Sequence, residues 1–431
     1  MKKITLFILY LGCLSVVYSQ GIITLEECQR LARENYPLVV QKGLIEKTTE
    51  YTVSNAKRNL LPQVTLMAQA TYQSDVPEFP DNLKGLFQTM GMNLEGLPKD
   101  QYKAAVQIDQ ILWGGGNIKA QTEVAKAESA VSQQNWEVEM YALTERVNQL
   151  YFGTLLLQEK SKVLDILIDE LNRNYTLIES YKANGVAGQN DLELLKVELL
   201  TVRQQKAELI SNLEAFRTML GIMINKPIST GIELSKPENG GIVLVEGSSK
   251  RPELDYFDAQ ERLLDAQLKR VNTTLKPQIG AFIQGAYANV GLNLFEDMQS
   301  NQWSPYYIGG IKLQWNILGL YTHKNQRSRI EQTRFSLISQ RETFLYNMNL
   351  KSTQENLEIN RMQKVMQYDE EIITLRESIR KRTEVQIKEG TATVNDLLRD
   401  IHSENMARQN KTVHEIECLK NVYDLKYITN N

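Results

Sequence analysis

Two prolines 25 residues apart, Pro37 and Pro62, recur as Pro252 and Pro277, 215 positions further along a chain of 431 residues. At the same shift Leu60-Leu61-Pro62-Gln63-Val64 falls on Leu275-Lys276-Pro277-Gln278-Ile279, and Tyr72 falls on Tyr287. Beyond that the shift becomes 205, pairing Gly114 with Gly319, Gly185 with Gly390 and Asp191 with Asp396. The second copy has therefore lost ten residues between Tyr72 and Gly114. A unit of about 200 residues is far longer than a solenoid repeat, so each copy is a large structural half.

Both copies carry the same order of textures. The first, residues 20–224, opens with a helical stretch from Thr24 to about Arg58 and continues as a strand over 61–73. A loop rich in Pro, Gly, Asn and Asp follows over 74–101, then a second strand over 102–113 and the break Gly114-Gly115-Gly116. Helices are expected over 117–182 and 191–223. The first of these holds no Pro and would be roughly 100 Å long at 1.5 Å per residue. Its seam Leu143, Val147, Leu150, Thr154, Leu157, Ser161, Leu164, Ile168, Leu171, Tyr175 and Ile178 alternates steps of four and three, the spacing of coiled-coil packing. A linker is expected over 225–250. The second copy, 251–431, repeats the plan with a helix and strands over 278–288 and 306–318. A long helix over about 322–388 and a returning helix over about 395–426 complete it. The long helix has a weaker seam at Val365, Tyr368, Ile372, Leu375 and Ile379.

The strands narrow the fold class most. Val64, Leu66, Ala68, Ala70 and Tyr72 share one face against Gln63, Thr65, Gln69 and Thr71 on the other. The alternation recurs in Val106, Ile108 and Leu112, in Ile279, Ala281, Ile283 and Tyr287, and in Ile311, Leu313, Trp315 and Ile317. Each run has the length of a tilted strand crossing a bilayer, with aromatics at its ends, as in membrane barrels. A half-buried soluble sheet also alternates. Four strands cannot close a barrel, and bare strand edges are untenable in lipid. If the strands span a membrane, several chains must pool them.

Met1-Lys2-Lys3 and the apolar run Ile4–Val17 read as a secretory signal over 1–19, cut before Gln20, with a lipoprotein cut before Cys13 as the disfavoured alternative. No later run has the length and apolarity of a membrane helix. The charge is −3, too balanced to suggest nucleic acid. Cys28 and Cys418 are expected as buried free thiols rather than a disulfide.

Helix, strand, loop, strand, long helix, Gly-containing tip and returning helix, all duplicated behind a signal segment, resemble the TolC-like outer-membrane efflux proteins. Local carriers of the resemblance are Ile23-Thr24-Leu25-Glu26-Glu27 with Asn35-Tyr36-Pro37, and Gln110-Ile111-Leu112-Trp113-Gly114-Gly115-Gly116. Arg251-Pro252-Glu253-Leu254 opens the second copy in the family's manner. The resemblance implies a mainly α-helical protein with a membrane β-barrel. A homotrimer would pool its strands into a twelve-stranded barrel in the outer membrane of a Gram-negative cell, continued by a periplasmic α-helical coiled-coil tunnel. Such a protein is a passive exit duct, fed by a periplasmic adaptor (a membrane fusion protein) and an inner-membrane pump of RND or ABC type. Outer-membrane lipid would meet Val64, Leu66, Tyr72, Ile108, Ile279, Tyr287, Leu313 and Trp315. Type I protein secretion shares this architecture, and a soluble periplasmic coiled-coil scaffold is the competing class.

By the same resemblance, Gly185, Val186 and Ala187, with Gly390 and Thr391, are the adaptor-contact tips. The periplasmic entrance would hold Asp396, Arg399, Ala392 and Asp191. Ala392 stands where relatives can carry an Arg tying the inner helix to an outer Asp, and Ile387 stands in place of an aromatic, so the entrance is expected to be tied differently. A ring of three Asp396 carboxylates would favour cations, with some of its pKa values raised by like charge. Asp396 and Arg399 can pair one turn apart. Locally, Gly releases each helix end and Asn-Asp can cap the next helix. His402 and His414 are read as solvated or packed helix residues, and the run Arg376–Glu384 as a solvated flank. No phosphate loop, hydrolase elbow or metal-ligand spacing appears, so no enzyme, cofactor or metal is expected.

Overall fold

A computed structural model describes residues 22–92, 96–229, 232–237 and 250–430. The expected signal segment 1–19 and most of the expected linker 225–250 lie outside them. In chain order the elements are β1 (Ile22–Ile23), α1 (Leu25–Asn35), α2 (Val39–Arg58), β2 (Gln63–Tyr72), α3 (Asp81–Thr89), β3 (Asp100–Trp113), α4 (Asn117–Ala183) and α5 (Gln189–Ile224). There follow β4 (Glu233–Leu234), α6 (Pro252–Thr273), β5 (Gln278–Asn289), α7 (Leu294–Ser300), β6 (Ser304–Gln314), α8 (Leu318–Lys388) and α9 (Val394–Thr429). Among the described residues no helix is long and apolar enough to cross a membrane. Two compact units result, each built from both sequence copies: one from residues up to Gln41, Trp136–Leu254 and Glu342–Asn431, the other from Lys42–Asn135 and Asp255–Arg341.

The unit of Lys42–Asn135 and Asp255–Arg341 is built on an antiparallel four-stranded sheet of order β2-β3-β5-β6. Its register places Val64, Ile108, Ile283 and Gly309 in one row, then Leu66, Val106, Gly285 and Tyr307, then Ala68, Ala104, Tyr287 and Pro305. The opposite face carries rows such as Thr65, Gln107, Gln284 and Ile308. One face is thus almost wholly apolar. Its exceptions are Asp100 and Asn289 at the loop end and Gln110, whose amide donates to the Leu60 carbonyl at 2.8 Å. Beyond β3, Gly115 and Gly116 take φ of 62° and 87°, a left-handed turn that favours glycine. A Cβ on Gly115 would also come within 2.8 Å of the Lys276 Cβ.

Three expectations are corrected in this unit. The expected strand 306–318 runs instead from Ser304 to Gln314, so Trp315 and Ile317 lie beyond it. Asn316 is the physical cause: its side chain accepts from the Leu318 N–H at 3.1 Å, starting α8 at Leu318 rather than near 322. The loop 74–101 is not structureless, because α3 forms there, and Val76, Leu97 and Met298 make a small apolar cluster.

The other unit is a helical bundle with a small parallel strand pair, Ile22 with Glu233 and Ile23 with Leu234. Tyr151, fully buried, fastens that pair by donating to the Ser235 and Ile23 carbonyls at 2.7 and 3.0 Å. Gln158 holds Leu234 at both its N–H and its carbonyl. Thr24 caps α1 by accepting from the Glu27 N–H at 3.2 Å. The expected single helix from Thr24 to Arg58 is broken at Tyr36-Pro37, because the residue before a proline is pushed to extended backbone, and Tyr36 has ψ 133°. Cys28 and Cys418 are both buried and free, and burial pushes the Cys28 thiol up to about 12.

The first heptad seam lies inside the bundle: Leu143, Val147, Thr154, Leu164, Leu171 and Ile178 are buried. The second does not. Tyr368, Ile372, Leu375 and Ile379 are exposed, by 63, 44, 56 and 41%. The buried stripe of that stretch of α8 is instead Ile359, Met362, Asp369, Ile373, Arg380, Thr383 and Ile387, where three of the seven positions are polar. Hydrophobicity alone selected the wrong face, because hydrogen-bonded partners on neighbouring helices allow those polar groups to be buried.

Candidate functional site: two helix tips and a buried ion cluster

Each helical hairpin turns through a glycine in the left-handed region, Gly185 at φ 75° and Gly390 at φ 73°. Only glycine adopts that backbone without Cβ strain. After the turn, the helix caps are Gly188 and Thr393, not the Asn-Asp pairs expected from sequence. Asp191 and Asp396 sit three residues into their helices and reach back. Asp191 Oδ2 accepts from the Gly188 N–H at 2.8 Å, and Asp396 Oδ2 from the Thr393 N–H at 3.1 Å. Thr393 adds the reciprocal half of a capping box, its hydroxyl oxygen accepting from the Asp396 N–H at 3.2 Å.

Arg399 Nη2 stands 3.4 Å from Asp396 Oδ1, one turn away on the same helix. The Thr393 hydroxyl, then the Thr393 backbone N–H, and lastly Arg399 hold the Asp396 carboxyl below the usual carboxylate range. The rise expected from a ring of like charges is not a property of the single chain, where hydrogen bonding to the charged form lowers the pKa. Val186 is exposed, whereas Ala187 and Ala392 both pack on one apolar cluster. That cluster joins the hairpins through Leu192, Leu195 and Leu199 of α5 and Ile387, Val394 and Leu397 around the second tip. Ile387 is buried in it.

With Ala at 392, the charged ties between hairpins lie farther back. Arg380 of α8 is 8% exposed; its Nη1 is 2.7 Å from Glu170 of α4, and its Nε donates to Glu404 of α9 at 2.7 Å. Glu384 pairs with the same guanidinium one turn away. Arg408 donates to the other oxygen of Glu404 at 2.7 Å, and the Thr383 hydroxyl donates to Asp400 at 2.7 Å. A second tie joins His402 of α9 to Glu198 of α5 at 3.2 Å. His414 meets Asp369 at 2.9 Å. The run Arg376–Glu384 is therefore not simply a solvated flank. Arg380 escaped the sequence reading because its neighbours are charged. The signal present was its place in the heptad of Ile373 and Ile387, with Glu384 four residues on.

The sequence model of the outer membrane efflux protein family matches residues 30–220. Over that span the chain is similar to that family. Residues beyond it repeat the same element order, and solved structures share the fold over 94% of the chain. The outer membrane protein VceC from Vibrio cholerae superposes with a TM-score of 0.68 at 12% identity, covering 94% of this chain and 96% of that one. The Campylobacter jejuni CmeC outer membrane channel gives 0.66 at 12% identity, covering 94% and 85%. The Neisseria gonorrhoeae MtrE outer membrane channel, in its open state, gives 0.62 at 17% identity, covering 94% and 89%. No curated protein sequence matches the chain.

The sheet divides its two faces as the membrane-spanning strands of a barrel do. Val64, Leu66, Tyr72, Ile108, Ile279, Tyr287 and Leu313 all lie on the apolar face. Trp315 is past the strand end, where its indole donates to the Leu275 carbonyl at 3.2 Å. At the loop end of the sheet Trp303, which sequence reading missed, stacks on Tyr102 and Tyr287 with ring centroids 6.1 and 5.2 Å apart. Such aromatics suit the boundary between hydrocarbon and headgroups.

Proposed function

We propose that three copies of this chain pool their four-stranded sheets into one closed barrel and serve as the passive exit duct of a tripartite efflux system. The observation that carries this reading is the sheet itself. It is apolar on one face and polar on the other, and among the described residues β2 and β6 each keep one edge without a strand partner. In lipid such edges must pair, and closure with further copies of the sheet satisfies them. The exposed apolar seam of Tyr368, Ile372, Leu375 and Ile379 supports it independently, because a neighbouring copy would cover that stripe.

In this assembly the tips at Gly185, Val186, Ala187, Gly390 and Thr391 meet a periplasmic adaptor, which couples the duct to an inner-membrane pump. Asp396, Arg399, Ala392 and Asp191 frame the entrance. Asp396 presents a carboxylate kept ionised by its cap, so three copies place three carboxylates, each with Arg399 one turn away, where cations would enter. Purified protein in planar bilayers tests the assignment: Asp396→Ala should weaken block by divalent cations. An unchanged single-channel response would remove Asp396 from the entrance.

A further inference from the structure

We propose that Lys103 sets the charge preference of the barrel lumen, drawing small anionic solutes (carboxylates, phosphates, sulfonates) through the outer end of the duct. This rests on the closed-barrel reading above. The polar face of the sheet carries just three charged groups in its strands: Lys103 and Asp109 of β3 and Lys312 of β6. Asp109 pairs with Lys312, and that pair is neutral as a unit. Among the described residues Lys103 has no carboxylate partner. Its ammonium donates to the Gln284 amide oxygen at 3.1 Å and lies 5.7 Å from the Tyr306 ring centroid.

Lys103 is also held in place. Gln284 donates onward to Gln107 at 3.0 Å, and Gln107 donates to Asp109 Oδ2 at 2.7 Å. Side chains facing only bulk water have no need of partners, yet these run hydrogen-bonded along the wall of β3 and β5 and end at the neutral pair. The chain of amides fixes one unbalanced positive charge per sheet. In register, Lys103 faces Gln69 and Ala288, close to the strand ends that lead into the loops. Three sheets then present a ring of three ammonium groups in one layer. Rings of Lys or Arg favour anions, and a pore with low-dielectric walls focuses their field.

The test uses the full-length protein in planar lipid bilayers under a potassium chloride gradient. Lys103→Glu should lower the chloride-to-potassium permeability ratio by roughly twofold or more, and Lys103→Gln by a smaller step in the same direction. Asp109→Asn, which frees Lys312, should raise the ratio. Each variant is first shown to run as the same detergent-stable oligomer as the parent. Channels whose ratio does not respond to either Lys103 change would overturn the inference and leave the duct intact. Protein that forms no channel even with Lys103 in place would overturn the barrel reading, and the inference with it.

Discussion

Replacing Arg380 with alanine is the most demanding test of how the two hairpins are joined. The guanidinium touches Glu170 and Glu404 at 2.7 Å and also Glu384. Glu170 and Glu404 are only 12 and 9% exposed. Removing the cation leaves partly buried carboxylates facing one another, a loss of about 3–5 kcal/mol for a broken buried pair. Arg408 still holds Glu404 at 2.7 Å, which puts the expected loss near the lower end, about 3 kcal/mol. Unfolding of the helices followed by circular dichroism in detergent reads this directly. The partition is read by a double-mutant cycle of Arg380→Ala and Glu170→Ala, which should give a coupling of about 1–3 kcal/mol, since the two groups share one contact. If the single change costs less than about 1 kcal/mol, or the two changes are additive, the ion cluster does not tie the hairpins.

Other consequences are equally checkable. Leu66→Arg on the apolar face should cost about 2–4 kcal/mol and reduce the yield of folded membrane-inserted protein, whereas Thr65→Arg on the opposite face should be tolerated; equal yields of the two would refute the assignment of faces. Burial, with Asp424 beside it, raises the Glu355 carboxyl above 4.5. The folded state therefore keeps that proton to higher pH than the unfolded chain. Its stability falls as pH rises from the ordinary carboxylate range through the raised value. Glu355→Gln should accordingly raise the unfolding midpoint at about pH 7 and leave it unchanged at about pH 4, and a variant less stable at neutral pH would contradict the sign.

Much of this architecture was legible because its strongest signals are local and periodic. Alternation in β2 and β5 follows from a sheet with one apolar face, and the glycines at 185 and 390 mark backbone that other residues resist. The misreadings have a common physical source in polar groups satisfied by partners distant in sequence. Arg380 looked like surface because Glu170, 210 positions away, cannot be seen beside it in the chain. The seam at Tyr368 and Leu375 looked buried because it is apolar and heptad-spaced, but among the described residues it stays exposed. Thr393 rather than Asn395 is the cap because the hydroxyl and Asp396 complete each other as a box. Trp315 fell outside its strand through a single Asn side chain that turns the backbone about four residues early.

In the proposed assembly one chain holds a third of a barrel. The mass of the detergent-solubilised protein, with bound detergent subtracted, tests it most directly. Three chains per particle, stable in detergent and released from membranes only by it, is the expected result. A particle of one chain, or protein washed from membranes by carbonate without detergent, would contradict it.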